Sequence, residues 1–274
     1  MTGHRIGAAL AALLAAAPAA AQGGDGPRDR WRLPAPPTLE VAARGHYAAP
    51  AITVGIPSGF GADWADGFVG AGFQHRTRWR DRPDAGLVAG FGVGSARRNV
   101  GLEVAVSQFG TIHSCCRGGV SVKAHRLIVP AGASIAVGVE NGATWGHAEG
   151  SAHATDAGTS VYLVGSKVIR LRRDPAYPLG SLSVTAGVGS GRFRTEDQVF
   201  ARTRTVNPFG GLSLRLARPA SLLATWTGQD ATAAVSVLPL GRVPLLVTPG
   251  VADLTTRPRF ILGVGYGFTL GGSI

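Results

Sequence analysis

The chain has 274 residues and a formal net charge of +11, yet charged residues make up only 16% of it and glycine fills 41 positions. An ordinary soluble domain carries roughly 25% charged residues and about half this share of glycine, so the sequence lacks the lysine and glutamate that normally cover a wet surface. No apolar run beyond the first residues reaches the roughly 18 to 20 residues of a spanning helix, which excludes a helical membrane protein.

Residues 1–21 combine a short lead with His4 and Arg5, an apolar run from Ile6 to Pro18, and Ala19-Ala20-Ala21 before Gln22. This is the layout of a cleaved secretory signal peptide, so the chain is expected to leave the cytoplasm. Residues 22–48, with Pro34, Pro36 and Pro37, lack periodicity and read as a flexible Pro/Gly-rich lead. Residues 49–274 read as one domain.

The basic charge lies mainly in arginines at turns, such as Arg76, Arg78 and Arg80, Arg97-Arg98, Arg170 to Arg173, and Arg202 to Arg204. With no recognition helix, zinc-finger spacing or RNA-binding aromatic pattern beside them, nucleic acid is not an expected partner. Cys115 and Cys116 are adjacent and cannot staple distant segments. His113 stands near them, and His147, Glu149, His153 and Asp156 share the longest loop. A structural metal site wants four converging ligands, and solvated loops account for both groups, so no metal and no cofactor are expected.

From Gly67 onward the chain divides into alternating segments at about 67–76, 85–94, 99–109, 118–127, 133–143, 159–170, 180–193, 206–216, 221–228, 232–238, 245–252 and 259–270. Side chains in a strand point alternately to opposite faces. Val100, Leu102, Val104 and Val106 share one face, as do Leu182, Val184, Ala186 and Val188, and as do Phe260, Leu262, Val264, Tyr266 and Phe268. Ala51 to Ile56 is a further strand candidate. The segment lengths match the roughly 9 to 11 residues with which a tilted strand crosses a bilayer. Longer connections such as 144–158 and 194–205 alternate with short ones such as 95–98, 128–132 and 217–220 over the first two-thirds of the domain. Outer-membrane barrels show that alternation.

The opposite parity decides the solvent. In a soluble barrel it would face water and carry Lys, Glu and Thr; here it carries glycine and alanine with isolated charges. A cylinder of twelve strands is also wider than its own side chains fill with ease. Inverting the faces places the apolar parity against lipid, with every backbone group paired around a closed ring. The expected fold is all-β, a transmembrane antiparallel up-and-down barrel of about 12 strands, range 10–14. Glu103, Lys123, His125, Glu140 and Arg215 fall on the inner parity as candidate pore-lining residues. The stretch Ser58 to Asp66 offers Phe60, Asp63, Trp64 and Asp66 as a candidate constriction folded into the lumen. Trp79, Phe109, Trp145, Phe193, Phe209, Trp226 and Phe268 stand near strand ends and suit interfacial aromatic girdles.

Across about residues 50 to 270 the sequence resembles the bacterial outer-membrane β-barrel proteins of porin-like type. The resemblance rests on the final strand, Phe260 to Phe268, and on Gly-x-Gly strands such as Gly90 to Gly94 and Gly187 to Gly189. It implies a cell outer-membrane location, with outer-membrane lipid, the barrel-insertion machinery and small hydrophilic solutes as partners. In that family the last strand commonly ends in an aromatic; here Thr269 to Ile274 follow Phe268. A Ser107, His125 and Glu103 arrangement can be drawn on neighbouring strands, but any serine-rich barrel permits it, and no enzyme is expected. The expected function is passive diffusion of small hydrophilic solutes. The alternatives are a structural or adhesive barrel with a closed lumen and an exported soluble β carrier.

Overall fold

The computed structural model describes residues 40–42, 45–47, 49–78, 81–112, 117–128, 131–146, 158–241 and 243–270. The signal-peptide reading of 1–21, most of the 22–48 lead, Trp79, the pair Cys115 and Cys116, and His147, Glu149, His153 and Asp156 lie outside the described residues.

Two short strands, β1 (Glu40–Ala42) and β2 (Gly45–Tyr47), pair as a ribbon. The next twelve close into one antiparallel barrel. They are β3 (Asp66–Gln74), β4 (Asp84–Gly94), β5 (Gly101–Phe109), β6 (Arg117–Ile128), β7 (Ala133–Trp145), β8 (Ser160–Arg170), β9 (Ser181–Gly189), β10 (Asn207–Ala217), β11 (Ala220–Trp226), β12 (Ala231–Val237), β13 (Leu245–Ala252) and β14 (Arg259–Thr269). Consecutive strands pair around the ring, and β14 closes on β3 with Tyr266 opposite Val69 and Phe268 opposite Gly67. This is the up-and-down all-β barrel that the alternation specifies, with the strand at 259–270 as its closing member. Among the described residues the helical content is a 3-10 turn at Gly191–Phe193 and the one-turn helix α1 (Glu196–Phe200). A reciprocal bond pair between Thr195 and Gln198 caps α1.

The two parities separate as the pleat requires. Val69, Leu87, Leu102, Val137, Leu163, Leu212 and Val264 are exposed on the outside, while Gln74, Val88, Ser134, Ser166, Ser213 and Ile261 are buried on the inside. One end of the barrel, the terminal end, holds the start of β3, the finish of β14 and the turns 95–100, 129–132, 171–180, 218–219 and 238–244. The loop end holds 75–83, 110–116, 146–159, 190–206, 227–230 and 253–258.

The lumen is occupied. Residues 51–56, a strand candidate in the sequence, do not join the sheet; with 57–63 they form a loop inside the cylinder. Ile52, Val54, Ile56, Phe60 and Ala62 are all buried there. The chain enters at the terminal end, climbs past Ser213 and Thr225, turns near Gly55 and descends past Ser166 and Ser134 to Asp63. Gly55 has φ +72°, a left-handed conformation that glycine adopts without a Cβ penalty. Ile52 and Phe60 pack on the same Val168, so the two limbs lie side by side. The physical reason is width: a ring of twelve strands leaves space that wall side chains alone do not fill.

Candidate functional site: the barrel lumen

The wall meets the luminal loop mainly through hydroxyls. Ser213 Oγ donates to Ala51 O and Thr225 Oγ1 donates to Val54 O at 2.8 Å. Ser134 Oγ donates to Gly59 O at 2.6 Å, Ser166 Oγ accepts from Gly59 N at 2.9 Å, and Ser236 Oγ accepts from Ala51 N at 2.9 Å. Each of these residues sits on the inner parity of its strand. The loop makes no ladder of its own, so its buried backbone groups need such partners; an unpaired one costs about 1–3 kcal/mol. These serines and threonines read in the sequence only as small lining residues, because no local pattern says what a luminal hydroxyl will meet.

The inner charges divide into separate groups. Glu103 and Lys123 lie directly opposite on β5 and β6, with Lys123 Nζ 2.9 Å from Glu103 Oε1. Glu103 Oε2 accepts from Ala62 N at 2.8 Å, so the pair also holds the descending limb. Beside it, His125 Nε2 is 3.2 Å from Asp63 Oδ1, which accepts from Ala96 N at 2.8 Å. Asp66 Oδ2 accepts from Asp63 N, and Asp66 Oδ1 accepts from Thr269 Oγ1 at 3.0 Å. The loop's lower end is thereby tied to the seam where β14 meets β3.

Glu140 does not join Glu103 and Lys123. It forms a bidentate pair with Arg192, whose Nη1 donates to Gly55 O at 2.8 Å, at the top of the loop. The Arg192 guanidinium lies 4.3 Å from the Phe193 ring centroid, and Phe193 stacks on Phe209 at 4.2 Å. Ile56 packs into this group with Tyr162 and Val164. The segment read as a strand over 180–193 put Arg192 on the outer parity with Leu182 and Val184; β9 ends at Gly189 instead, and Arg192 folds inward in the 190–206 connection. Arg215 is remote from these pairs, on the inner parity of β10 at the terminal end, where its Nη1 donates to Arg218 O at 3.2 Å.

Of the constriction residues, Phe60, Asp63 and Asp66 are buried, while Trp64, with its amide bonded to Gly94 O, has a side chain 71% exposed. Three girdle expectations are corrected. Phe109, Phe193 and Phe209 are buried because each ring turns inward, whereas Trp145 and Trp226 are exposed on the outside. The inner glycines likewise serve rings. A Cβ on Gly90 would overlap Phe68, one on Gly138 would overlap Tyr162, and one on Gly187 would overlap Phe209.

At the loop end Arg78 faces Asp253 at 2.5 Å, Glu196 at 3.1 Å and Asp230 at 3.6 Å. Burial alone would lower the Arg78 pKa, but the three carboxylates outweigh it and hold the guanidinium above its ordinary value. Burial also works against the Asp230 carboxylate, yet donors from Thr256, Thr255 and the Ala231 amide keep its pKa below the usual range. This network joins the connections 75–83, 190–206, 227–230 and 253–258 across the mouth. The Ser107, His125 and Glu103 arrangement does not assemble, since both Glu103 oxygens are engaged elsewhere and His125 faces Asp63. Among the described residues no three His, Cys, Asp or Glu side chains converge as metal ligands.

No protein-family model matches the chain and no curated protein matches it. Among solved structures it is similar to a KdgM porin, at a TM-score of 0.44 and 15% identity, over 74% of this chain and 99% of that one. It is also similar to the N-terminal β-barrel domain of Pseudomonas aeruginosa OprF, at a TM-score of 0.21 and 10% identity, over 75% of this chain and 98% of that one.

Proposed function

We propose that the chain is an outer-membrane β-barrel whose lumen is a path for small hydrophilic solutes, closed in this conformation by its own residues 49–63. The observation that carries the membrane placement is the outward face. Around the ring it presents aliphatic and aromatic side chains at substantial exposure, among them Leu87 at 53%, Phe91 at 52%, Val137 at 51% and Leu212 at 50%. Soluble monomers rarely expose contiguous apolar patches beyond a few hundred Å², and a belt around the whole barrel has hydrocarbon as its matching solvent. Among the described residues no helix is long and apolar enough to cross a membrane.

What supports a solute path is the wall beneath the loop. Its hydroxyls and charged pairs would present water with a polar surface once the loop left, whereas an apolar wall would collapse or fill with lipid-like groups. Partnership with the barrel-insertion machinery belongs to the same proposal and draws support from the aromatic alternation of β14. The competing reading, a permanently closed structural barrel, draws on the number of bonds that hold the loop.

Planar-bilayer recording separates the two readings. The wild-type chain is expected to give few or small conductance steps, and a variant with residues 49–63 replaced by a Gly/Ser linker of equal length is expected to give large, frequent ones. A linker variant that keeps the boiling-dependent gel shift of an intact barrel but conducts no better than wild type would overturn the path while leaving the barrel.

A further inference from the structure

The terminal mouth holds two inward arginines that the luminal network does not use. Arg170 ends β8 on the parity of the buried Ser166 and Val168, and Arg215 follows the buried Ser213 on β10. Arg170 pairs with Ser181, and the pairing of Leu214 with Leu182 puts Arg215 opposite the same serine from the other side. The two guanidinium stems therefore rise from one lateral row, two strand spacings or roughly 10 Å apart. They flank the point where residues 50–52 pass into the lumen.

Three of their nitrogens lack partners, while Arg215 Nη1 donates to Arg218 O. Arg170 Nε and Nη2 and Arg215 Nε are buried without a hydrogen bond. Asp174, the one carboxylate among the described residues of the adjoining turns 171–180 and 218–219, is already engaged by Arg218 at 3.5 Å and by the Ala176 amide. Ser181 Oγ donates to Pro175 O and so brings no negative charge to the pair. Guanidinium nitrogens taken out of water are normally bonded to an anion, because a desolvated and unbonded charge is unfavourable. Around the mouth the exposed turn residues Arg97, Arg98, Arg172, Arg173 and Arg218 outnumber Asp174, so the local field draws anions inward.

We infer that Arg170 and Arg215 form a binding site for a small dianion with oxyanion ends, a phosphate or a dicarboxylate, at the terminal mouth of the barrel. The planar fork of each guanidinium offers two parallel donors to such an end, and the spacing of the pair lets one doubly charged solute meet both. The site does not depend on the lumen conducting.

Isothermal titration of the full chain in detergent and low-chloride buffer tests this, with inorganic phosphate in one arm and succinate in the other. Wild-type protein is expected to bind at least one of them. Arg170→Gln and Arg215→Gln are each expected to weaken that binding by about tenfold or more, as loss of a charge-assisted bond implies. Arg204→Gln, an exposed change at the opposite end, is expected to leave it unaltered. Binding of phosphate alone or of succinate alone supports the site and names its ligand. Absence of binding by wild type, or equal binding by both mouth variants when each still shows the boiling-dependent gel shift, would overturn the inference.

Discussion

Glu140 and Arg192 illustrate how much of the lumen is decided by single side chains. Glu140 was legible as an inner-face charge from its place beside Val137 and Val139. Its partner was not, because the segment read as a strand over 180–193 set Arg192 on the outer parity, whereas β9 ends at Gly189 and Arg192 turns inward beyond it. The pair is buried and bidentate, and Arg192 also holds Gly55 O at the crest of the loop. A buried ion pair is modest in net worth, but removing one member strands the other in a poorly solvating interior. Glu140→Ala is therefore expected to destabilise the folded barrel by about 3–5 kcal/mol in urea titrations in detergent, and Glu140→Ala with Arg192→Met by less than the single change. Equal losses for the single and the double variants would contradict the uncompensated-charge account. Glu103 and Lys123 fared better from sequence: both lie mid-strand on consecutive strands, and register alone brings them together.

Among the elements, the luminal loop is the least expected in form and the most informative. The stretch from Ser58 to Asp66 suggested a luminal constriction through its glycines, acids and aromatics, yet the ascending limb at 51–56 read as a strand. Alternation is the same whether apolar residues face lipid or pack into a filled lumen, and only the finished barrel shows which applies. Glycines make the fit. A Cβ on Gly59 would overlap the Ser134 carbonyl, and one on Gly92 would overlap the Ala62 backbone. Backbone cannot move aside as a side-chain tip does, so Gly59→Ala should lift the descending limb off the wall without touching the ladder bonds. Amide hydrogen exchange across 50–63 is expected to speed up by about tenfold or more, while exchange in β7 and β8 stays near wild type. Unchanged exchange in 50–63 would show that the loop tolerates the methyl group and that contact with Ser134 does not set its position. The inner glycines of β4, β7 and β9 carry a related lesson. In the sequence they read only as small inner-face residues, but rings from neighbouring strands lie across them.

For the whole molecule, strand number, order and closure were legible because every strand repeats one rule, apolar outward and small or polar inward, over a length that fits a bilayer. The position of the long connections was legible in the first part of the ring, where 75–83, 110–116 and 146–159 share the loop end. What a single sequence could not specify is the content of the cylinder, since luminal contacts join residues more than a hundred positions apart, as in Ala51 with Ser236 and Gly59 with Ser166. The central claim is that the outer face meets lipid while the inner face does not, and nitroxide accessibility measures it directly. In a Cys115→Ser, Cys116→Ser background reconstituted in phospholipid vesicles, a spin label at Val137, whose side chain is 51% exposed in the middle of the belt, should relax with dissolved oxygen and ignore a water-soluble nickel chelate. A label at Val137 that responds to the chelate as strongly as one on the loop-end residue Arg204 would contradict the account.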